Sequence, residues 1–135
     1  MGTKEIEEGL EFSPKFDENG LIPAIAQDAR TGEILMAAYM NREALEATIH
    51  SGYGTYFSRS RGRLWKKGEE SGHVQRVEQI LVDCDQDCLL LKVKVDEGQC
   101  HVGYRSCFYR ALKKGSRGEL ELVAEKVYDA RKTYG

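Results

Sequence analysis

The sequence predicts a strand-rich α+β domain, and three observations carry that prediction. Apolar residues come in short runs of strand length bounded by turn residues, one stretch carries helix-capping signals, and one late segment alternates with a two-residue period. The chain has 135 residues, 41% of them apolar and 31% charged, with a formal net charge of -2. This describes one domain, 1–135, of a size that buries roughly 65–70% of the surface of its unfolded chain and needs no disulfide staples. Near-neutral charge argues against a nucleic-acid coat protein, and no apolar run is long enough to span a membrane. Met1 to Ile6 lack the pattern of a signal peptide or a myristoylation site, so a cytoplasmic home is expected. In that reducing compartment Cys84, Cys88, Cys100 and Cys107 are expected as thiols or metal ligands rather than disulfides.

Residues 1–20 are polar, acid-rich and without period, which predicts a loosely held N-terminal arm. Leu21 to Gln27 and Ile34 to Tyr39 are apolar runs separated by Asp28 to Glu33, where Thr31-Gly32 supplies a turn, and the simplest reading is two paired strands. Asn41 then stands at an N-cap position and Glu43 in the first turn. Leu45, Thr48 and Ile49 share a face before Gly52 stops the run, giving one short helix over about 41–50 with His50 as a favourable charge at its C-terminal end. Tyr56 to Ser60 and Arg63 to Lys66 read as the arms of a hairpin turning at Arg61-Gly62. No acidic residue lies between Glu46 and Glu69, while Arg59, Arg61, Arg63, Lys66 and Lys67 make this the one strongly basic stretch. Val74 to Val82 fits a helix face or a strand, and we read it as strand. From Asp83 to Val95 the odd positions share one face, so three carboxylates run into an apolar row of Leu89, Leu91, Val93 and Val95. The remainder, 111–135, forms a C-terminal extension with one strand over Glu119 to Val123.

Two clusters carry chemistry. Asp83, Asp85 and Asp87 begin like an EF-hand, but Cys88 and Lys94 occupy the places of its Gly and Glu, which excludes that loop. On a strand the three carboxylates would suit Mg²⁺, or they would protect a sheet edge from aggregation. Cys84 and Cys88 would lie about 13 Å apart along a strand, too far to share one zinc. Cys100 and Cys107 would be about 10 Å apart on a straight helix, but Gly103 lets the backbone fold back and bring them together, with Cys84 as a third ligand. Cys84 faces away from the carboxylates, toward a second layer or a second subunit. Three thiolates would leave a catalytic zinc position open, whereas four would close a structural site; taken alone, the cysteines favour the closed site, and a small zinc-stabilised nucleic-acid-binding module is then the rival reading.

Several segments taken together are more specific. Asp28 to Glu33 through Tyr39-Met40-Asn41, Ser58-Arg59-Ser60-Arg61, Leu64 to Glu69, Ser71-Gly72-His73, Asp83 to Asp87, Cys100-His101 and Ser106 to Arg110 resemble the phosphoribosyl-AMP cyclohydrolase family of histidine biosynthesis. The resemblance runs from Leu21 to Arg110 in unbroken order. It implies a small antiparallel barrel-like sheet with one or two short helices in an intertwined homodimer. It also implies zinc on Cys84, Cys100 and Cys107, shared across the dimer, and Mg²⁺ on Asp83, Asp85 and Asp87. Cys88 departs from the family pattern and reads as a buried thiol.

The implied reaction is hydrolytic opening of an adenine ring that carries a phosphoribosyl group on N1, at the N1–C6 bond. Zinc would activate water, with His101 as first and His73 as second candidate for proton transfer. The substrate has two phosphate ends, and the candidates to hold it are Arg59, Arg61, Lys66, Lys67 and Arg105, with Trp65 to stack on the purine. Read alone, the basic residues are equally a solvated hairpin face, and aromatic residues at strand spacing are more often ordinary core.

Overall fold

A computed structural model of the chain describes residues 2–96 and 98–131. Met1, Glu97 and residues 132–135, which the sequence assigns to the arm, a turn and the C-terminal extension, lie outside the described residues. Among the described residues the fold is α+β and strand-rich, with two helices and eight strands. No helix of these is long and apolar enough to cross a membrane.

The first two strands, β1 (Ile22–Asp28) and β2 (Ile34–Met40), pair antiparallel as their apolar runs predict. Ile22, Ala24, Ala26 and Asp28 point inward from β1, and the small alanines let neighbouring layers approach closely. The helix α2 (Arg42–Ser51) follows the predicted signals. The Asn41 side chain accepts from the Ala44 amide at 2.8 Å, and Gly52 ends the helix at φ 80°. Ala44, Leu45 and Thr48 form its buried face, and the Thr48 hydroxyl also accepts from the Thr55 amide at 3.0 Å, tying the helix to the next strand.

The basic hairpin is present as β3 (Thr55–Ser58) and β4 (Arg63–Lys66), although its loop is longer than expected and runs from Arg59 to Gly62. The main sheet has the order β2-β1-β6-β5, with β5 (Arg76–Val82) and β6 (Leu89–Lys94) supplying its other half. Leu89, Leu91 and Val93 of β6, with Val95 beyond it, are all buried on one face, as their alternation predicts.

Two expectations are corrected. The sheet is mixed and open rather than antiparallel and barrel-like: β1 and β6 run parallel in its centre, and among the described residues no pairing joins β2 to β5. Residues 83–88 are also not strand. The Asp83 carboxylate accepts from the amides of Asp87 (3.0 Å) and Cys88 (3.2 Å), and Gln86 turns the chain at φ 57°, so the first acid of the alternation caps a turn and does not begin a strand.

The arm is held at Phe16, which packs against the core beneath Arg42 (4.7 Å), and at Gln86. After α1 (Thr3–Glu8), the buried Gln86 side chain donates to the carbonyls of Ile6 (3.1 Å) and Glu11 (3.2 Å) and accepts from the Ser13 amide (2.6 Å). The C-terminal extension forms the hairpin of β7 (Arg110–Leu112) and β8 (Leu120–Leu122), close to the strand the sequence suggests. Residues 126–128 return to the main body, where the Val127 amide bonds the Gly103 carbonyl at 2.8 Å.

Candidate active-site cleft

The turn after β4 and the loop after β6 meet above β2 and the basic hairpin, enclosing a cleft of about 540 Å³. Arg61 and Trp65 reach it from the hairpin, Lys67 from the turn, and His101 and Cys107 from the loop. Glu69 and Glu70 also line it, so the stretch that is basic in sequence is not purely basic in space.

Local geometry explains how the loop reaches this position. The chain reverses between Cys100 and Tyr104, whose amide and carbonyl bond at 3.0 Å, with Gly103 at φ 113°. The returning segment is fastened to β2: the Cys107 amide bonds the Leu35 carbonyl at 2.7 Å, and the Ser106 hydroxyl donates to the Ile34 carbonyl at 2.6 Å. The reversal brings the Cys107 thiol near enough to Cys100 for the two to interact electrostatically. Burial first, and then the Cys100 neighbour, push the Cys107 thiol up to about 11, while Lys67 pulls the other way. Burial draws the Lys67 ammonium below its ordinary value, opposed by Cys107 and Cys100.

A buried polar chain that sequence reasoning missed runs from beneath the cleft to its wall at Gln99. The Tyr56 hydroxyl donates to Gln75 Oε1 at 2.5 Å, Gln75 Nε2 to Gln99 Oε1 at 2.9 Å, and Gln99 Nε2 to the His73 carbonyl at 3.3 Å. Lys67 Nζ donates to the Gln99 carbonyl at 2.6 Å. Two close approaches leave no room for side chains here. A Cβ on Gly54 would stand 2.4 Å from Gln75 Oε1, and one on Gly68, at φ 91°, 2.6 Å from the Val74 nitrogen. The sole hint in the sequence is that Gln99 directly precedes Cys100.

The cleft thus gathers Arg61, Trp65, Lys67, His101 and Cys107 and leaves other candidates elsewhere. Arg59 lies over the Tyr39 ring at 4.2 Å, and Lys66 over the Tyr53 ring at 4.7 Å. Arg105 pairs with the buried Asp28 and, at 2.9 Å, with Glu33. His73 sits behind the cleft, edge-on to Tyr128 at 4.6 Å. Cys84 and Asp83 border a separate groove of about 550 Å³ between the N-terminal arm and β5. Cys88 is half-buried, its thiol raised first by burial and then by Asp83 and Asp87. Asp87 is raised by its hydrogen bond with Asp83 and then by burial and the Asp83 and Asp85 charges. Among the described residues no three Cys, His, Asp or Glu side chains of one chain converge to hold a metal.

Comparison with known proteins decides the family. The family model described as phosphoribosyl-AMP cyclohydrolase matches residues 36–109, more than half of the chain. The chain belongs to the phosphoribosyl-AMP cyclohydrolase family. A protein of that name from Methanococcoides burtonii is 58% identical over 120 residues, covering 89% of this chain and 94% of the relative. A second from Rhodopseudomonas palustris strain TIE-1 is 52% identical over 139 residues, with 100% of this chain and 92% of the relative covered. A third, from Nitrobacter hamburgensis, is 50% identical over 132 residues, covering 96% and 90%. The phosphoribosyl-AMP cyclohydrolase match takes in β2 from Met36 onward, the hairpin, the acidic turn and both cysteines of the loop, and every residue that lines the cleft falls within it.

Proposed function

We propose that this chain hydrolyses 1-(5-phosphoribosyl)-AMP at the N1–C6 bond, giving the phosphoribosyl-formimino aminoimidazole carboxamide ribotide, as a cytoplasmic enzyme of histidine biosynthesis. The observation that carries the reading is the convergence of Arg61, His101 and Cys107 on one cleft inside the family-matched residues. The substrate is a small nucleotide, and neither a nucleic acid nor a membrane has a part in it.

Cys107 at the cleft and the buried Cys100 beside it are a soft donor pair suited to zinc, and Cys84 of a second copy would complete the set in a homodimer. When bound, zinc supplies a Lewis acid that makes water acidic near neutral pH. Water adds to C6, which the N1 substituent leaves electron-poor. His101, on the cleft wall, takes a proton from that water and returns it to N1 as the N1–C6 bond breaks, leaving the carboxamide on the imidazole side. Arg61 and Lys67 offer positive charge to a phosphate end, and Trp65, half-buried at the cleft, offers a face to the purine.

The acidic turn is the proposed Mg²⁺ site. The Asp87 carboxyl is raised first by its hydrogen bond with Asp83 and then by burial and the Asp83 and Asp85 charges, and a divalent cation would offset that charge crowding.

The test is incubation of the zinc-loaded protein with phosphoribosyl-AMP, following the ring-opened carboxamide with and without a zinc chelator. Chelator-sensitive turnover is expected. Absence of turnover by folded, zinc-loaded protein would refute the reading.

A further inference from the structure

We propose that Gln99 is a positioning residue, which through the buried chain Tyr56–Gln75–Gln99 orients the loop bearing Cys100 and His101; this rests on the reading of the cleft given above.

Four hydrogen bonds meet on this one fully buried residue. Its amide donates to the Arg105 carbonyl at 3.0 Å, and its carbonyl accepts from Lys67 Nζ at 2.6 Å. Its side chain takes Gln75 at Oε1 (2.9 Å) and gives Nε2 to the His73 carbonyl (3.3 Å). One residue therefore ties together the turn after β4, the segment before β5 and the loop that enters the cleft.

The polarity of the chain is fixed from one end. A backbone carbonyl can only accept, so Gln99 must turn its NH₂ to His73, which leaves Oε1 for Gln75. Gln75 must then present its own NH₂, which leaves Oε1 for the Tyr56 hydroxyl. Each amide has a single satisfied orientation, and a wrong one would leave buried groups unpaired. Polar side chains are rarely buried at 0–1% exposure without such a task, as Gln75 and Gln99 are. The next residues after Gln99 are Cys100, whose amide closes the loop, and His101 at the cleft.

The test compares wild type with Gln99→Met, Gln75→Leu and Tyr56→Phe. Steady-state kinetics on phosphoribosyl-AMP are measured, together with the rate at which a chromogenic chelator withdraws zinc. Gln99→Met and Gln75→Leu remove the side-chain bonds at similar size, and Gln75 is not among the residues that line the cleft. Both are expected to lower kcat by about 10- to 100-fold, with KM within about twofold, and to speed zinc release comparably. Tyr56→Phe, which keeps its ring in the core, should show the same changes to a smaller extent. Wild-type kcat in soluble, zinc-loaded Gln99→Met and Gln75→Leu, or a raised KM with kcat kept, would overturn the inference. If those two variants do not fold, Tyr56→Phe decides: faster zinc release supports the inference and wild-type release overturns it. An inactive wild type would defeat the proposed function instead, and zinc release would then decide the positioning role.

Discussion

Arg105 places its guanidinium against the carboxylate of Asp28, whose side chain is 0% exposed, and fastens the loop between Cys100 and Cys107 to the β1–β2 turn. Asp28 also accepts from the Arg30 amide at 2.8 Å, so a single acid organises both the turn and the loop. Removing the arginine leaves a buried carboxylate uncompensated. Arg105→Ala should lower stability by about 3 kcal/mol in urea unfolding, and Arg105→Lys should recover only part, since an ammonium cannot bridge Asp28 and Glu33 as a planar fork does. A loss confined to substrate affinity would place Arg105 in substrate binding instead.

Gly68→Ala faces two obstacles, a left-handed backbone and a Cβ 2.6 Å from the Val74 nitrogen. Stability should fall by about 2 kcal/mol or more, while Gly20→Ala, equally left-handed but with open space, should cost about 1 kcal/mol. Thermal unfolding of the two variants checks the difference.

Cys88 lies in the acidic turn and not in the cleft. Cys88→Ala should therefore retain about one zinc per chain and near-normal turnover, as expected of a site with three cysteine ligands. Loss of zinc on metal analysis would instead support a closed four-cysteine site.

Cys84 and Cys107 border different clefts of the same chain. If a second copy supplies Cys84, then Cys84→Ala and Cys107→Ala chains are each inactive, yet a refolded mixture should regain activity in about a quarter of its sites by random pairing. A mixture as inactive as its components would rule out a shared site.

Burial holds the Tyr56 hydroxyl well above its ordinary value of 10.0, outweighing its bond to Gln75. The folded state therefore keeps a proton that the unfolded chain releases from about pH 10 upward, and stability falls as pH rises beyond that point. The contribution is about 1.4 kcal/mol per pH unit for this one group. Tyr56→Phe should flatten the alkaline limb of a denaturation profile by that amount; identical limbs would show that Tyr56 ionises normally.

Features written in neighbouring residues were legible from sequence. Asn41 and Gly52 bound a helix because capping is local, and the hairpin at 55–66 follows from strand residues on either side of a glycine turn. The alternation of Leu89 to Val95 gave the correct buried face. The same rule failed at Asp83 to Asp87, where Asp83 caps a turn whose Gln86 is also tied to the distant N-terminal arm. The cleft was partly legible, since Arg61, Lys67, His101 and Cys107 are chemically conspicuous. Gln75 and Gln99 were not, because only tertiary packing makes an ordinary glutamine buried.

The parallel pairing of β1 with β6 governs how this protein can be made. Ala24 sits opposite Leu89, and everything from Ala29 to Cys88 lies between the two central strands of the sheet. During synthesis β1 and β2 can meet early, but the centre of the sheet waits for β6, so apolar edges stay unsatisfied until most of the chain has emerged. Such non-local closure slows folding and leaves those edges exposed for longer than the chain's modest size suggests.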